Sequence, residues 1–132
     1  MTEFRLGEAA ALLGVGVDTL RRWADEGRLS TDRSEGGQRR ISGPELARFA
    51  VELADADRDA SSAELSARNR FVGLVTKVTT DTVMAQVEIQ SGKNRIVSLI
   101  SSEAVRDLGL APGVLAVAAV KATNVIIERP DR

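Results

Sequence analysis

The stretch "TVMAQVEIQS", Thr82 to Ser91, alternates without a slip. Val83, Ala85, Val87 and Ile89 take one side; Met84, Gln86, Glu88 and Gln90 take the other. Successive side chains leave a strand on opposite faces, so this alternation predicts a half-buried β-strand. The neighbouring segments extend the pattern. "FVGLVTKVTT" (Phe71–Thr80) is rich in β-branched residues, and "SGKN" (Ser91–Asn94) suits a hairpin turn into a third strand, "RIVSLIS" (Arg95–Ser101). "SSEAVRDLGLAPG" then interrupts with a short helix, capped by Ser101 or Ser102 and closed by Gly109. "VLAVAAVKATNVIIERP" supplies two more strands, broken near Lys121 to Asn124. Five short strands with a helix between the third and fourth predict an OB-like barrel.

Further upstream the period changes. Leu6, Ala9, Ala10 and Leu13 fall at i, i+3, i+4 and i+7, one face of a helix that Gly14 ends. A second helix follows in "GVDTLRRWADEGRL", with Asp18 expected as its N-cap and Gly27 as its end. Leu20 and Trp23 share its inner face, and Arg21 and Arg22 point elsewhere. Two short helices joined through glycine describe a helix-turn-helix. "STDRSEGGQRRIS" offers a hairpin turning at Gly36-Gly37. "SGPE" opens a third helix, with Ser42 as N-cap and Glu45 completing a capping box. The fold class is therefore α+β: a winged helix-turn-helix, then a five-stranded OB-like barrel.

Between the two lies "ADADRDASSAEL", short and acidic. The expected organisation is residues 1–54 as the helical domain, 55–65 as a linker and 66–132 as the β-domain. The chain has 132 residues and a net charge of −1, with neither histidine nor cysteine. That removes the usual general base, the thiolate nucleophile and the commonest transition-metal ligands. Neither a signal peptide nor a membrane span is read in the sequence, so a cytoplasmic protein is expected. The acidic pairs sit in helix or linker contexts, and the glycines of "LGVGVD" follow a helix, not a strand, so a dinucleotide site is not indicated. The expectation is a protein without catalysis and without a bound metal cation.

The second helix of a helix-turn-helix enters the DNA major groove. Thr19, Arg21 and Arg22 lie on that helix, and Arg33, Arg39 and Arg40 lie in the hairpin that a wing would lay on the backbone. Spacing alone leaves open a solvated helix face. The segment "FRLGEAAALLGVGVDTLRRWADEGRL…GGQRRIS" resembles the winged helix-turn-helix of the MerR and excisionase superfamily over roughly the first 50 residues. The resemblance implies double-stranded DNA as partner, Thr19, Arg21 and Arg22 reading the groove, and Arg39 and Arg40 clamping a phosphate. Gln38 stands where that family often has an aromatic residue.

In the β-half, an oxyanion would need a forked cation and converging donors. Ser66, Arg68, Ser101, Ser102 and Lys121 are of the right types; a solvated linker charge for Arg68, helix capping for Ser101 and Ser102, and strand termination for Lys121 are the alternatives that spacing leaves open. The run "SARNRFVGLVTKV…ISSEAVRDLGLAPGVLAVAAVKATNVII" resembles a single molybdate-binding TOBE domain, the unit of molbindins and of molybdate-responsive regulators. The resemblance implies a molybdate or tungstate ligand at a homodimer interface, in a dimer or a larger homo-oligomer. One subunit would give Ser66, Ala67 and Arg68; its partner would give Ser101, Ala104, Lys121 and Ala122. Ala104 replaces a serine frequent in the family.

Together these imply a DNA-binding transcriptional regulator that senses molybdate or tungstate. An oxyanion store of the molbindin kind is the alternative, as is a regulator whose TOBE domain only oligomerises or takes another ligand.

Overall fold

The computed structural model describes residues 2–56 and 68–130. The chain divides into two compact units, Met1–Asp59 and Ala60–Arg132, each with its own core.

In the first unit, β1 (Glu3–Arg5) leads into α1 (Leu6–Leu13) and α2 (Val17–Asp25). A hairpin of β2 (Asp32–Arg33) and β3 (Arg39–Ser42) precedes α3 (Gly43–Asp55). The sheet runs β1-β3-β2, with Phe4 opposite Ile41 and Arg33 opposite Arg39. Leu6, Ala9, Ala10, Leu20, Leu29, Ile41, Leu46 and Phe49 form the core, and Trp23 packs at its margin. Gly14 ends α1 in the left-handed conformation expected of a C-cap glycine. Gly37, at φ 83, lets the hairpin reverse between the Ser34 and Gln38 backbone bonds.

Two capping expectations are corrected. Gly16, not Asp18, is the N-cap of α2: its carbonyl accepts from Leu20 N at 3.1 Å. Asp18 falls inside the first turn and binds Arg21 instead. Ser42 does cap α3, its hydroxyl accepting from Glu45 N at 3.2 Å, but the Glu45 carboxylate does not turn back. It accepts from Ser30 N at 2.6 Å and from Arg48 Nε at 2.7 Å, tying α3 to the segment after α2. Arg48 foremost, then Ser30, hold this carboxyl at about 2, below its ordinary 4.5.

A depressed folded-state value means that the stabilisation is complete above pH 4.5 and is lost as pH falls through about 2. Glu45→Gln should therefore cost about 1 kcal/mol at neutral pH. The gap to wild type should close toward the acid limit. Thermal melts followed by Trp23 fluorescence across that range would check it; a gap independent of pH would refute it.

The second unit is a coiled antiparallel sheet. It comprises β4 (Asn69–Thr80), β5 (Met84–Ser91), β6 (Asn94–Ser101), α4 (Ser102–Leu108) and β7 (Leu115–Val120), in strand order β6-β5-β4-β7. The long β4 pairs with β7 over Asn69–Leu74 and with β5 over Leu74–Thr80, so the sheet folds over at the changeover. Val75, Ala85, Val87, Ile89 and Val105 fill its core. Val83 lies before β5, in a turn where the Asp81 carboxylate accepts from Met84 N and Val83 N. Those bonds lower the Asp81 pKa.

Four strands are present among the described residues of this unit, where the sequence predicts five. After β7 the chain makes a 3-10 turn, Ala122–Asn124, and continues without a ladder partner. Ile126 and Ile127 are 90% and 85% exposed. Their β-branched pattern is that of a strand, but a strand needs a neighbour to take its N–H and C=O groups. Between the inner faces of β6 and β7 an apolar cleft of about 430 Å³ stays open, lined by Ile96, Ile100, Ala116 and Ala118 among others.

Candidate functional site

In the first unit a cleft of about 580 Å³ lies between α2, the start of α1 and the hairpin. Arg5, Arg21, Arg33 and Arg39 line it, with Asp25 and Gln38. Leu20 is fully buried and Trp23 packs against Phe49 with ring centroids 5.5 Å apart, so α2 is held by its apolar face with Arg21 and Arg22 exposed. Along β3 the side chains alternate. Arg39 lies on the helix side with Ile41, and its Nη2 donates to Asp25 Oδ1 at 2.6 Å. Arg40 takes the opposite face. Thr19 is half-buried in the first turn of α2. Of the five residues expected at DNA, the cleft thus unites Arg21 and Arg39; Arg22, Arg40 and Thr19 do not line it. Arg33, expected in the hairpin, also lines it, and Arg5 lines it without having been singled out. Register explains Arg33, which pairs across with Arg39 and so shares its face; Arg5 reaches the cleft from the junction of β1 and α1.

In the second unit, Ser101 caps α4 and its hydroxyl accepts from Ala104 N at 3.0 Å. That hydroxyl keeps its own proton to donate outward, whereas the Ala104 amide is already engaged. Ser102 is buried, with its Oγ 2.8 Å from Asp81 O and 3.0 Å from Met84 O, a structural post. Lys121 and Ala122 are exposed at the 3-10 turn. Arg68 is exposed just before β4; Ser66 and Ala67 lie outside the described residues. Asn69 pairs with Val120, and its Nδ2 donates to the Val120 carbonyl at 3.2 Å. Arg68 and Lys121 therefore emerge from the same end of the β4–β7 ladder.

Ser101 is elsewhere. It pairs with Met84 at the start of β5, beside the far end of β4, where Thr80 faces Ala85. Among the described residues no hydrogen bond or ion pair joins Arg68 or Lys121 to Ser101 or Ala104, and neither cation has a carboxylate partner. The ladder of one chain thus divides these donors between opposite ends of the sheet. Arg70, passed over in the sequence, has its Nε buried without a hydrogen-bond partner.

These features define a β-domain with open edges and separated anion donors, preceded by a helical unit with an arginine cleft. Residues 65–127 match the model of the TOBE domain, and residues 5–41 match that of the MerR family regulatory proteins. Over 64 residues, 48% of this chain, the sequence is 39% identical to molybdenum-pterin-binding protein 2 of Clostridium pasteurianum, covering 94% of that protein. Molybdenum-pterin-binding protein 3 of the same organism is 36% identical over the same length. A solved structure of a molybdate-binding protein from Sporomusa ovata is 32% identical, aligned over 50% of this chain and 98% of its own, with a TM-score of 0.49. The chain belongs to the TOBE-domain family and carries a MerR-family region ahead of that domain.

Proposed function

We propose that this protein is a DNA-binding transcriptional regulator that senses molybdate or tungstate. The observation that carries the reading is the pairing, in one chain, of a MerR-family region with a TOBE domain similar to molybdenum-binding proteins. Residues 1–54 act as a winged helix-turn-helix: α2 presents Thr19, Arg21 and Arg22 to the groove, and the β2–β3 hairpin lays Arg39 and Arg40 along the backbone. Residues 55–65 link this domain to an oxyanion-binding and dimerising domain, 66–132. The protein works in the cytoplasm and performs no catalysis.

The ligand sits between two copies. Ser66, Ala67 and Arg68 of one face Ser101, Ala104, Lys121 and Ala122 of the other. Three features support self-association: the split of donors along the ladder, the open apolar cleft, and exposed Val72, Leu74, Leu115 and Val117 on the outer faces of β4 and β7. Arg68 and Lys121 supply charge, and the Ser101 hydroxyl supplies a directed donor. Ligand changes transcription by binding more tightly to one spacing of the paired recognition helices than to another.

The test is calorimetric titration with molybdate, tungstate and sulfate, with Arg68→Ala alongside. Strong binding of the first two over sulfate is expected, and Arg68→Ala should lose at least about tenfold in affinity, as for a charged hydrogen bond. Arg21→Ala and Arg39→Ala should abolish DNA binding and leave the titration unchanged. DNA affinity indifferent to both arginines would return the protein to the class of oxyanion stores; absence of heat with both metal oxyanions would remove the sensor.

A further inference from the structure

The cleft in the N-terminal unit is lined by four arginines and one aspartate, in a chain whose net charge is −1. Their pairing is uneven. Arg39 is bound by Asp25 at 2.6 Å, with the arginine side chain 24% exposed. Arg33 Nη1 donates to the Gly37 carbonyl at 2.7 Å, folded back along its own hairpin. Arg21 leans on Asp18, which is outside the cleft lining; both are largely exposed, so that pair is weak. Arg5 has no carboxylate partner among the described residues.

We infer that this cleft seats one backbone phosphate of duplex DNA, and that Asp25 is a built-in anion which the phosphate displaces from Arg39. The inference rests on the DNA-binding reading above. Guanidinium binds carboxylate and phosphate through the same forked donors. A phosphate, however, presents oxygens in several directions, and Arg5, Arg21 and Arg33 line the same cleft as Arg39. Asp25 reaches Arg39 alone. In the free protein the carboxylate keeps Arg39 aimed and lowers the affinity of the cleft for stray phosphates. A duplex docked through α2 and the hairpin brings its phosphate close enough to win the exchange. Asp25 is thus a positioning residue that favours a correctly docked duplex over casual backbone contact.

The full chain is titrated against a labelled mixed-sequence duplex, because backbone contacts need no particular operator. Anisotropy is read across a salt series. Asp25→Asn should tighten binding about three- to tenfold at low salt and steepen the log–log salt slope by about 0.9, one more phosphate neutralised. Glu52→Gln makes the same charge change on α3, outside the cleft, and should leave the slope alone. Arg5→Ala and Arg33→Ala should each make the slope shallower by about 0.9. Circular dichroism confirms that each variant is folded.

With wild type binding the duplex, an unchanged or weakened Asp25→Asn overturns the exchange, and unchanged slopes for both arginine variants overturn the seat. Wild type failing to bind any duplex at low salt overturns the DNA-binding reading itself and this inference with it. Inorganic phosphate displacing the duplex at millimolar concentration and matched ionic strength would assign the cleft to a free anion and overturn the backbone assignment.

Discussion

Replacing Gly73 by alanine is expected to cost the β-unit about 3 kcal/mol, the upper part of the usual range for overpacking. Gly73 sits inside β4 just before the strand changes partner from β7 to β5. A Cβ there would meet the Gln90 carbonyl oxygen in hard overlap, Ile89 Cγ2 at 2.8 Å and Gln90 C at 2.9 Å. Two of these three atoms are backbone of the neighbouring strand, so no rotamer change relieves them. The sheet would have to open at its corner, and the core residues Val75 and Ile89 are next to it. Glycine at such a place marks a close backbone approach. Thermal melts should show a lowered β-unit transition, and calorimetry with molybdate should show greatly weakened binding. Trp23 belongs to the other core and is the only tryptophan, so its low-temperature emission should stay that of a folded protein. A Gly73→Ala variant that melts with wild type would mean that the corner has slack.

The segment around Gly73 shows what sequence carries and what it does not. Alternation in Val87 and Ile89 marks the buried face of β5, and both are buried in the core. The glycine of "RFVGLVTKV" is plain to see; which carbonyl crosses above it depends on a register set by distant turns. The fifth strand fails for a related reason. "NVIIE" has strand composition, but pairing is a property of two segments, and none of the described residues pairs with it. The helix caps divide in the same way. Gly14, Gly109 and Ser42 follow from local sterics and hydrogen bonding. Gly16 displaces Asp18, whose carboxylate is taken by Arg21 one turn along the same helix, and Glu45 leaves its capping box because Arg48 on its own helix and the distant Ser30 N–H take its carboxylate.

The candidate sites were legible to different depths. Arginines on an exposed helix face follow from the spacing of Leu20 and Trp23. That Arg21 and Arg39 share a cleft, with Arg5 joining from β1, needs the β1-β3-β2 order, which no local pattern encodes. In the β-unit the residue types suited to an oxyanion were identifiable, but their division along the ladder was not. The register of β4 with β7 brings Arg68 and Lys121 to one end and leaves Ser101 at the other. This division is the physical reason for placing the proposed site between two copies.

Phe49→Ala is expected to have the larger effect on the other unit, about 3–5 kcal/mol. Phe49 is fully buried on α3 and meets Trp23 at 5.5 Å, and the Arg28 guanidinium carbon lies 4.9 Å from the Trp23 ring centre and 5.5 Å from that of Phe49. Truncation removes the ring that Trp23 leans on and one of the two faces under Arg28. A unit this small has only a few kcal/mol to spare, so it should be largely unfolded at room temperature, with Trp23 emission shifted to the red. Phe49→Leu keeps most of the volume and should cost less than about 1.5 kcal/mol. Function should divide along the same line. The position of α2, and with it Arg21 and Asp25, depends on Leu20 and Trp23 packing against this core, so duplex binding should disappear in Phe49→Ala. The β-unit core shares no residue with it, so molybdate titration should retain its wild-type affinity. Loss of both activities in Phe49→Ala would instead show that the β-unit needs the helical unit to fold, and the two cores would have to be treated as one cooperative system.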